Sequence, residues 1–240
     1  MARGFDAPGL LSNTGGTVTD TFRSQVAIFD MDGVLVDSEP HHHAAWHRLC
    51  LEEGVALTLA DVAERTLGRP VRESLPTLLG RALDADEHER LVRRKAAIYQ
   101  QVSGGAVREV RGAVAFVRSL ADSDVRCGLA TSAMPERVGP ILEALDLTEL
   151  FRVQVTGRDV QRGKPDPEVY LTTAARLRVS PDACVVFEDA PVGIEAARRA
   201  GMRVVGVATT CHAETLEVAG ARVVVPDFAR LRWKDVVSIG

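Results

Sequence analysis

A chain of 240 residues amounts to roughly 1.6 domains at about 150 residues each, which means one large domain or one that carries a substantial insertion. Its composition, 46% hydrophobic and 26% charged, is that of a globular protein able to bury a core without disulfides or metal staples. A net charge of −4 argues against electrostatic binding of nucleic acid, and no apolar run approaches the ~18 residues of a membrane span, so neither partner is expected.

Residues 1–21 contain Gly, Ser, Thr and Asn without a charged stretch leading into an apolar one, and read as a disordered leader rather than a secretory signal. Cys50, Cys127, Cys184 and Cys211 stand far apart with no C-x-x-C pair. That disfavours a disulfide framework or a thiolate zinc site and predicts buried, reduced thiols in a cytoplasmic protein. The first apolar segment, Val26–Phe29, stops at Asp30 with Gly33 close behind, as a buried strand does when it enters a turn.

From Pro40 to about residue 108 the pattern is helical: Pro40–Glu53, Thr58–Arg65, Val71–Arg81 and Asp86–Gln101. Pro40 suits a helix start, and Ser103-Gly104-Gly105 suits a flexible exit. Apolar strands then recur at Arg126–Thr131, Val153–Thr156, Cys184–Glu188, Arg203–Val207 and Arg222–Val225. Helices at Gly112–Ala121, Pro135–Leu145, Pro167–Leu177 and Gly193–Ala200 separate most of them, with Gly201 as a stop. Strands apolar throughout and alternating with helices predict an α/β fold, a Rossmann-like parallel sheet covered by helices on both faces. The expected division is an α/β core of residues 22–38 and 109–240, with 39–108 as an inserted helical lid.

Chemistry concentrates where these strands end. Ligands of open parallel sheets bind beyond the carboxyl ends of the strands. Asp30 and Asp32, two apart in an extended chain, can face one pocket, and a cation can relieve their repulsion. Taken alone, Asp-x-Asp-Gly also occurs in calcium loops. Thr131 and Ser132 end a strand with two hydroxyls suited to a phosphate oxygen, or equally to capping the helix that follows. Lys164 lies in the stiff segment Gly163-Lys164-Pro165-Asp166-Pro167, where it is either a fixed positive charge or a solvated one. Asp166 can cap the next helix. Glu188 and Asp189 end another buried strand; oxygen-only ligands suit Mg²⁺, and N-capping is the alternative for Asp189.

Asp30-x-Asp32, Thr131, Lys164 and Glu188-Asp189 occur in the order and context of the four motifs of the haloacid dehalogenase-like superfamily. The resemblance spans about residues 22–228 and is nearest to the β-phosphoglucomutase-like and phosphoglycolate-phosphatase-like groups. It implies that residues 39–108 are an α-helical cap domain. It further implies that Asp30 attacks phosphorus to give an aspartyl-phosphate and that Asp32 is the general acid and base. Thr131, Ser132 and Lys164 would bind phosphate, and Asp30, the Asp32 carbonyl, Glu188 and Asp189 would hold Mg²⁺. Asp189 is the stronger candidate for direct coordination, with Glu188 acting directly or through water. Asp32 itself points to phosphoryl transfer, because haloacid dehalogenases proper lack that residue and the metal.

The resemblance leaves the fate of the phosphoenzyme between water and a second sugar hydroxyl. His42 and Trp46 match a mutase segment, and Lys95 falls near a cap lysine that contacts a distal phosphate. Gly68-Arg69-Pro70-Val71-Arg72 departs from the mutase pattern by one place on either side, and Thr156–Lys164 looks more like the hydrolases. The expectation is a Mg²⁺-dependent phosphatase acting on a small phosphorylated metabolite, with a β-phosphoglucomutase-type mutase as the alternative. The substrate would be met by His42, Arg69, Arg72 and Lys95, and the chain is expected to be a monomer. His43 and His47 have a spacing that can hold zinc, but solvated cap residues are the expectation for His41 and His43.

Overall fold

The computed structural model describes residues 26–66 and 71–238. The expected leader and Arg69 lie outside the described residues, as does the side chain of Arg72. Six strands, β1 (Val26–Phe29), β2 (Arg126–Ala130), β3 (Val153–Val155), β4 (Cys184–Glu188), β5 (Arg203–Val207) and β6 (Val223–Val225), form one sheet in the order β3-β2-β1-β4-β5-β6. Every pairing is parallel. The chain steps outward from β1 through β2 to β3, then returns to lay β4 on the other side of β1. That reversal opens a crevice at the carboxyl ends of β1 and its neighbours.

Alternation explains the two cores. Ala27 and Phe29 of β1 point to one face and Val26 and Ile28 to the other, and all four are fully buried. The first face packs under α5 (Ala113–Ala121) and α6 (Pro135–Ala144), the second under α7 (Glu168–Leu177), α8 (Pro191–Arg199) and α9 (Ala213–Ala219). Phe29 stacks on its in-register neighbour Phe187 with ring centres 4.7 Å apart, and Phe116, Phe151 and Phe228 meet it at its edges and face. Each such fully buried ring contributes on the order of 1.5–3 kcal/mol. The helix α9 and the threonines before it were not legible as an element, because seven residues carry little periodicity. The closing short helix is α10 (Trp233–Val237).

Between β1 and α5 the chain forms α1 (Glu39–Glu52), α2 (Leu59–Thr66), α3 (Val71–Leu79) and α4 (Ala85–Ser103), with no strand among the described residues of this stretch. Ala45, Trp46, Leu49, Val62, Leu75, Leu91 and Ile98 make their own buried cluster. Asp84 caps α4 by accepting from the Glu87 backbone N–H at 2.8 Å, and Gly104 ends it in the left-handed region. The segments leading out and back lie side by side: the Asp37 N–H donates to the Arg108 carbonyl at 2.8 Å and the Val110 N–H to the Leu35 carbonyl at 3.0 Å. All four cysteines are free and buried. No described helix is long and apolar enough to cross a membrane.

Candidate active site

Asp30, Thr131 and Asp189 each follow directly on a strand, and Glu188 closes one. The backbone continues the ladder there: the Asp30 N–H donates to the Phe187 carbonyl at 3.1 Å and the Thr131 N–H to the Val155 carbonyl at 2.9 Å. The sheet thus delivers side chains from β1, β2 and β4 to one crevice. Lys164 reaches it from the loop after β3. Its ammonium lies 3.0 Å from Asp30 Oδ1 and 2.5 Å from Glu188 Oε1, with the side chain only 7% exposed.

Among the described residues, ligand oxygens of Asp30, Glu188 and Asp189 lie within 4.8 Å of one another. Burial, followed by the charges of Glu188 and Asp32, raises the Asp30 carboxyl to about 7 against the pull of Lys164. Burial, then Glu188 and Asp30, raises Asp189 well above the carboxylate range. Burial works against the charge on Lys164, but Asp30 and Glu188 outweigh it and hold the amine firmly protonated. Asp30 Oδ1 is buried without a hydrogen-bond donor aligned on it. Crowded buried carboxylates that offer an all-oxygen donor set fit a hard divalent cation.

Glu188 is held most tightly. Its Oε1 accepts from Lys164 and, at 2.8 Å, from the Tyr170 hydroxyl; its Oε2 accepts from the Asp189 and Ala190 N–H groups at 2.9 and 3.1 Å. Asp189 Oδ2 accepts from Thr210 Oγ1, and Thr209 Oγ1 donates to the Gly33 carbonyl. Two glycines make room. A Cβ on Gly33, which sits at φ +71°, would overlap Asp189 Oδ2 and Thr210, and one on Gly193 in α8 would overlap the Glu188 carboxylate. Gly193→Ala is therefore expected to lower turnover at least about 10-fold and to cost about 1–3 kcal/mol through overpacking. Gly139→Ala, in open space on α6, should instead stabilise by about 0.5–1 kcal/mol. Parallel phosphate-release assays and denaturant melts check the pair.

The capping alternatives are not what the structure builds. Met134 is the N-cap residue of α6 and Ala190 that of α8, neither with a side-chain bond, while Thr131 accepts from the Ala133 N–H in a local turn. Pro167 caps α7, with Asp166 accepting from the Glu168 N–H at 3.0 Å. Ser132 is exposed at the rim.

The Asp32 carboxylate is not in the acidic cluster. Both its oxygens are gripped by the Arg137 guanidinium, and Arg137 also donates to the Tyr99 hydroxyl at 2.9 Å. Burial opposes the charge on Asp32, but the Arg137 bonds, with His42 and Ser38 nearby, hold its carboxyl below the usual range. Lys95 and His42 meet at 2.6 Å, with the Lys95 ammonium 4.9 Å from the Trp46 ring centre. Burial lowers Lys95 to about 8 and, with Lys95 beside it, His42 to about 3. His41 and His43 are half-buried rather than solvated: His43 lies 2.8 Å from Glu39 and His41 against the Tyr99 ring. No histidine belongs to a metal-ligand group among the described residues. Sequence reasoning missed Arg137, Tyr170 and Thr210. Thr210 carried a usable signal, since it follows an apolar strand as Thr131 does; Arg137 on a helix reads as a solvated charge.

Residues 27–207 match the family described as haloacid dehalogenase-like hydrolase. The chain is 37% identical over 216 residues to validoxylamine A 7'-phosphate phosphatase of Streptomyces hygroscopicus subsp. limoneus, covering 88% of this chain and 98% of that one. It is 40% identical over 187 residues to phosphorylated carbohydrates phosphatase of Thermotoga maritima, covering 76% and 85%. It is 33% identical over 191 residues to β-phosphoglucomutase of Bacillus subtilis, covering 76% and 83%.

Proposed function

This chain belongs to the haloacid dehalogenase-like hydrolases, and from that premise we propose that it is a Mg²⁺-dependent phosphatase of small phosphorylated carbohydrates. One observation carries the reading: a buried carboxylate, Asp30, stands at the end of the central strand, 3.0 Å from the Lys164 ammonium and within 4.8 Å of two further acids. The names of the phosphatase relatives support the substrate class.

Asp30 is the nucleophile. It attacks phosphorus, the bond to the leaving oxygen breaks, and an aspartyl-phosphate forms. Asp32, which Arg137 holds ionised in the free protein, must gain a proton to serve as the acid; protonated, it gives that proton to the leaving oxygen, then takes one from the attacking water. Thr131, Ser132 and Lys164 face the phosphoryl oxygens, where charge spreads in the transition state. Asp30, Asp189 and the Asp32 carbonyl would hold Mg²⁺. Glu188, each of whose oxygens already accepts two hydrogen bonds, serves it through water and through Lys164. Bound there, Mg²⁺ would offset the repulsion between Asp30 and a phosphate dianion.

Residues 39–108 form the cap over this crevice. His42 and Lys95, joined to each other, bring the cap up to Asp32, with Arg69 and Arg72 as further substrate contacts. A cavity of ≈ 130 Å³ lined by His41, Tyr99, Arg108, Glu136 and Arg137 lies between the helical block and the core, on the Arg137 side of Asp32 and without Asp30 or Lys164 in its wall.

A panel of phosphate monoesters tests the reading. With Mg²⁺, released phosphate should account for nearly all of the sugar phosphate consumed, and chelation should stop it. β-Glucose 1-phosphate converted to glucose 6-phosphate with little free phosphate would establish the mutase alternative instead.

A further inference from the structure

Arg137 is the third residue of α6, in its first turn. A cation there opposes the helix dipole, so the helix gains nothing from it. Its neighbour Glu136 pairs with Arg158. Arg137 instead crosses to Asp32, Nη1 donating to Oδ2 at 2.5 Å and Nη2 to Oδ1. The guanidinium is itself fixed from the other side: Nη2 donates to the Tyr99 hydroxyl, and the group lies 4.8 Å over the Tyr99 ring. A planar fork fixes the direction of a carboxylate as well as its charge, which an ammonium does not.

We propose that Arg137 is the positioning residue for Asp32 in the second half-reaction. The fork aims the Asp32 carboxylate at the water that attacks the aspartyl-phosphate, and Tyr99 ties that aim to the helical cap. The inference rests on the reading of Asp30 as nucleophile and Asp32 as base. In this step the water oxygen bonds to phosphorus and the bond from phosphorus to the Asp30 oxygen breaks. One water proton passes to Asp32, leaving inorganic phosphate and the Asp30 carboxylate. The first half-reaction needs a proton on the leaving oxygen, unless the leaving group is already acidic. p-Nitrophenyl phosphate therefore isolates the second.

The test is stopped-flow hydrolysis of p-nitrophenyl phosphate with saturating Mg²⁺ by the wild type, Arg137→Ala, Arg137→Lys, Tyr99→Phe and Asp32→Asn. Arg137→Ala should release a burst of about one nitrophenolate per site, followed by a kcat about 30–100-fold below wild type, within the range of general-base effects. KM should fall with kcat, leaving kcat/KM within about 3-fold. Added guanidinium should raise the steady rate at least about 5-fold without changing the burst. Tyr99→Phe should lower kcat by about 3–5-fold, roughly the weight of one lost hydrogen bond. Arg137→Lys should remain slow, and it carries the test should Arg137→Ala fail to fold. An unchanged kcat, a raised KM at constant kcat, or a loss without burst or guanidinium response would overturn the proposal. In each of those cases an inactive Asp32→Asn leaves the role of Asp32 standing. A near-normal kcat for Asp32→Asn overturns that role and this inference together.

Discussion

Asp30→Asn should lose at least about 10⁴ in turnover, the scale on which removing a nucleophile acts, while the metal-free protein becomes more stable. Both outcomes come from one placement. The carboxylate is buried at the end of β1, and burial with the neighbouring acids raises it to about 7. A carboxyl raised on folding is destabilising wherever the unfolded chain would ionise it. The loss begins above about 3.8, the value of the free group, and is complete above about 7. At pH 8 without metal, an asparagine removes that loss, so the melting temperature should rise. The measurement pairs phosphate release with a melt at pH 8 and at pH 3.5, where the gain should vanish. Retained activity removes Asp30 from the nucleophile's role; lost activity with a lowered melt at pH 8 would trace the loss to misfolding.

Lys164→Met is expected to act in the opposite sense on stability and the same sense on activity. The lysine is the buried counter-charge of both Asp30 and Glu188. Removing it strands two acids, at a cost of about 3–5 kcal/mol. On the proposed reading a phosphate-binding cation is also lost, worth about 10²–10³-fold in kcat. Because the stranded acids would then attract a divalent ion more strongly, millimolar Mg²⁺ should raise the denaturation midpoint of the variant more than that of the wild type. Chemical denaturation with and without Mg²⁺ checks this. A variant within about 1 kcal/mol of the wild type would mean that the acids are neutral without the lysine.

The sheet was legible because β1, β2, β4 and β5 are apolar between their ends, with charge only at a terminal residue, as suits buried parallel strands. Asp30, Thr131 and Glu188-Asp189 were legible because each ends or follows such a run, and Lys164 because it sits in the stiff segment Gly163–Pro167. Arg137 and Tyr170 were not, for one physical reason. Their work depends on which elements the topology brings together: Tyr170 of α7 reaches Glu188 across the sheet's rim, and Arg137 of α6 meets Asp32 from 105 positions away. A local pattern shows a tyrosine inside a helix and an arginine on one, and nothing in either stretch names the partner. The histidines erred the other way: His41 and His43 read as solvated, but the Tyr99 ring lies against His41, and Glu39, one turn back, pairs with His43.

The side-by-side segments at Leu35–Asp37 and Arg108–Val110 have a consequence for how such a protein can change over time. The path to the helical block leaves and rejoins the sheet across the width of one hydrogen bond, so the sheet is insensitive to how much chain lies between. A block of another length or shape could be exchanged at this seam without moving Asp30, Thr131 or Glu188. If the block recognises substrate as proposed, recognition and bond-making can be inherited separately, with new substrates explored by swapping a cassette while the chemistry beneath it stays constant.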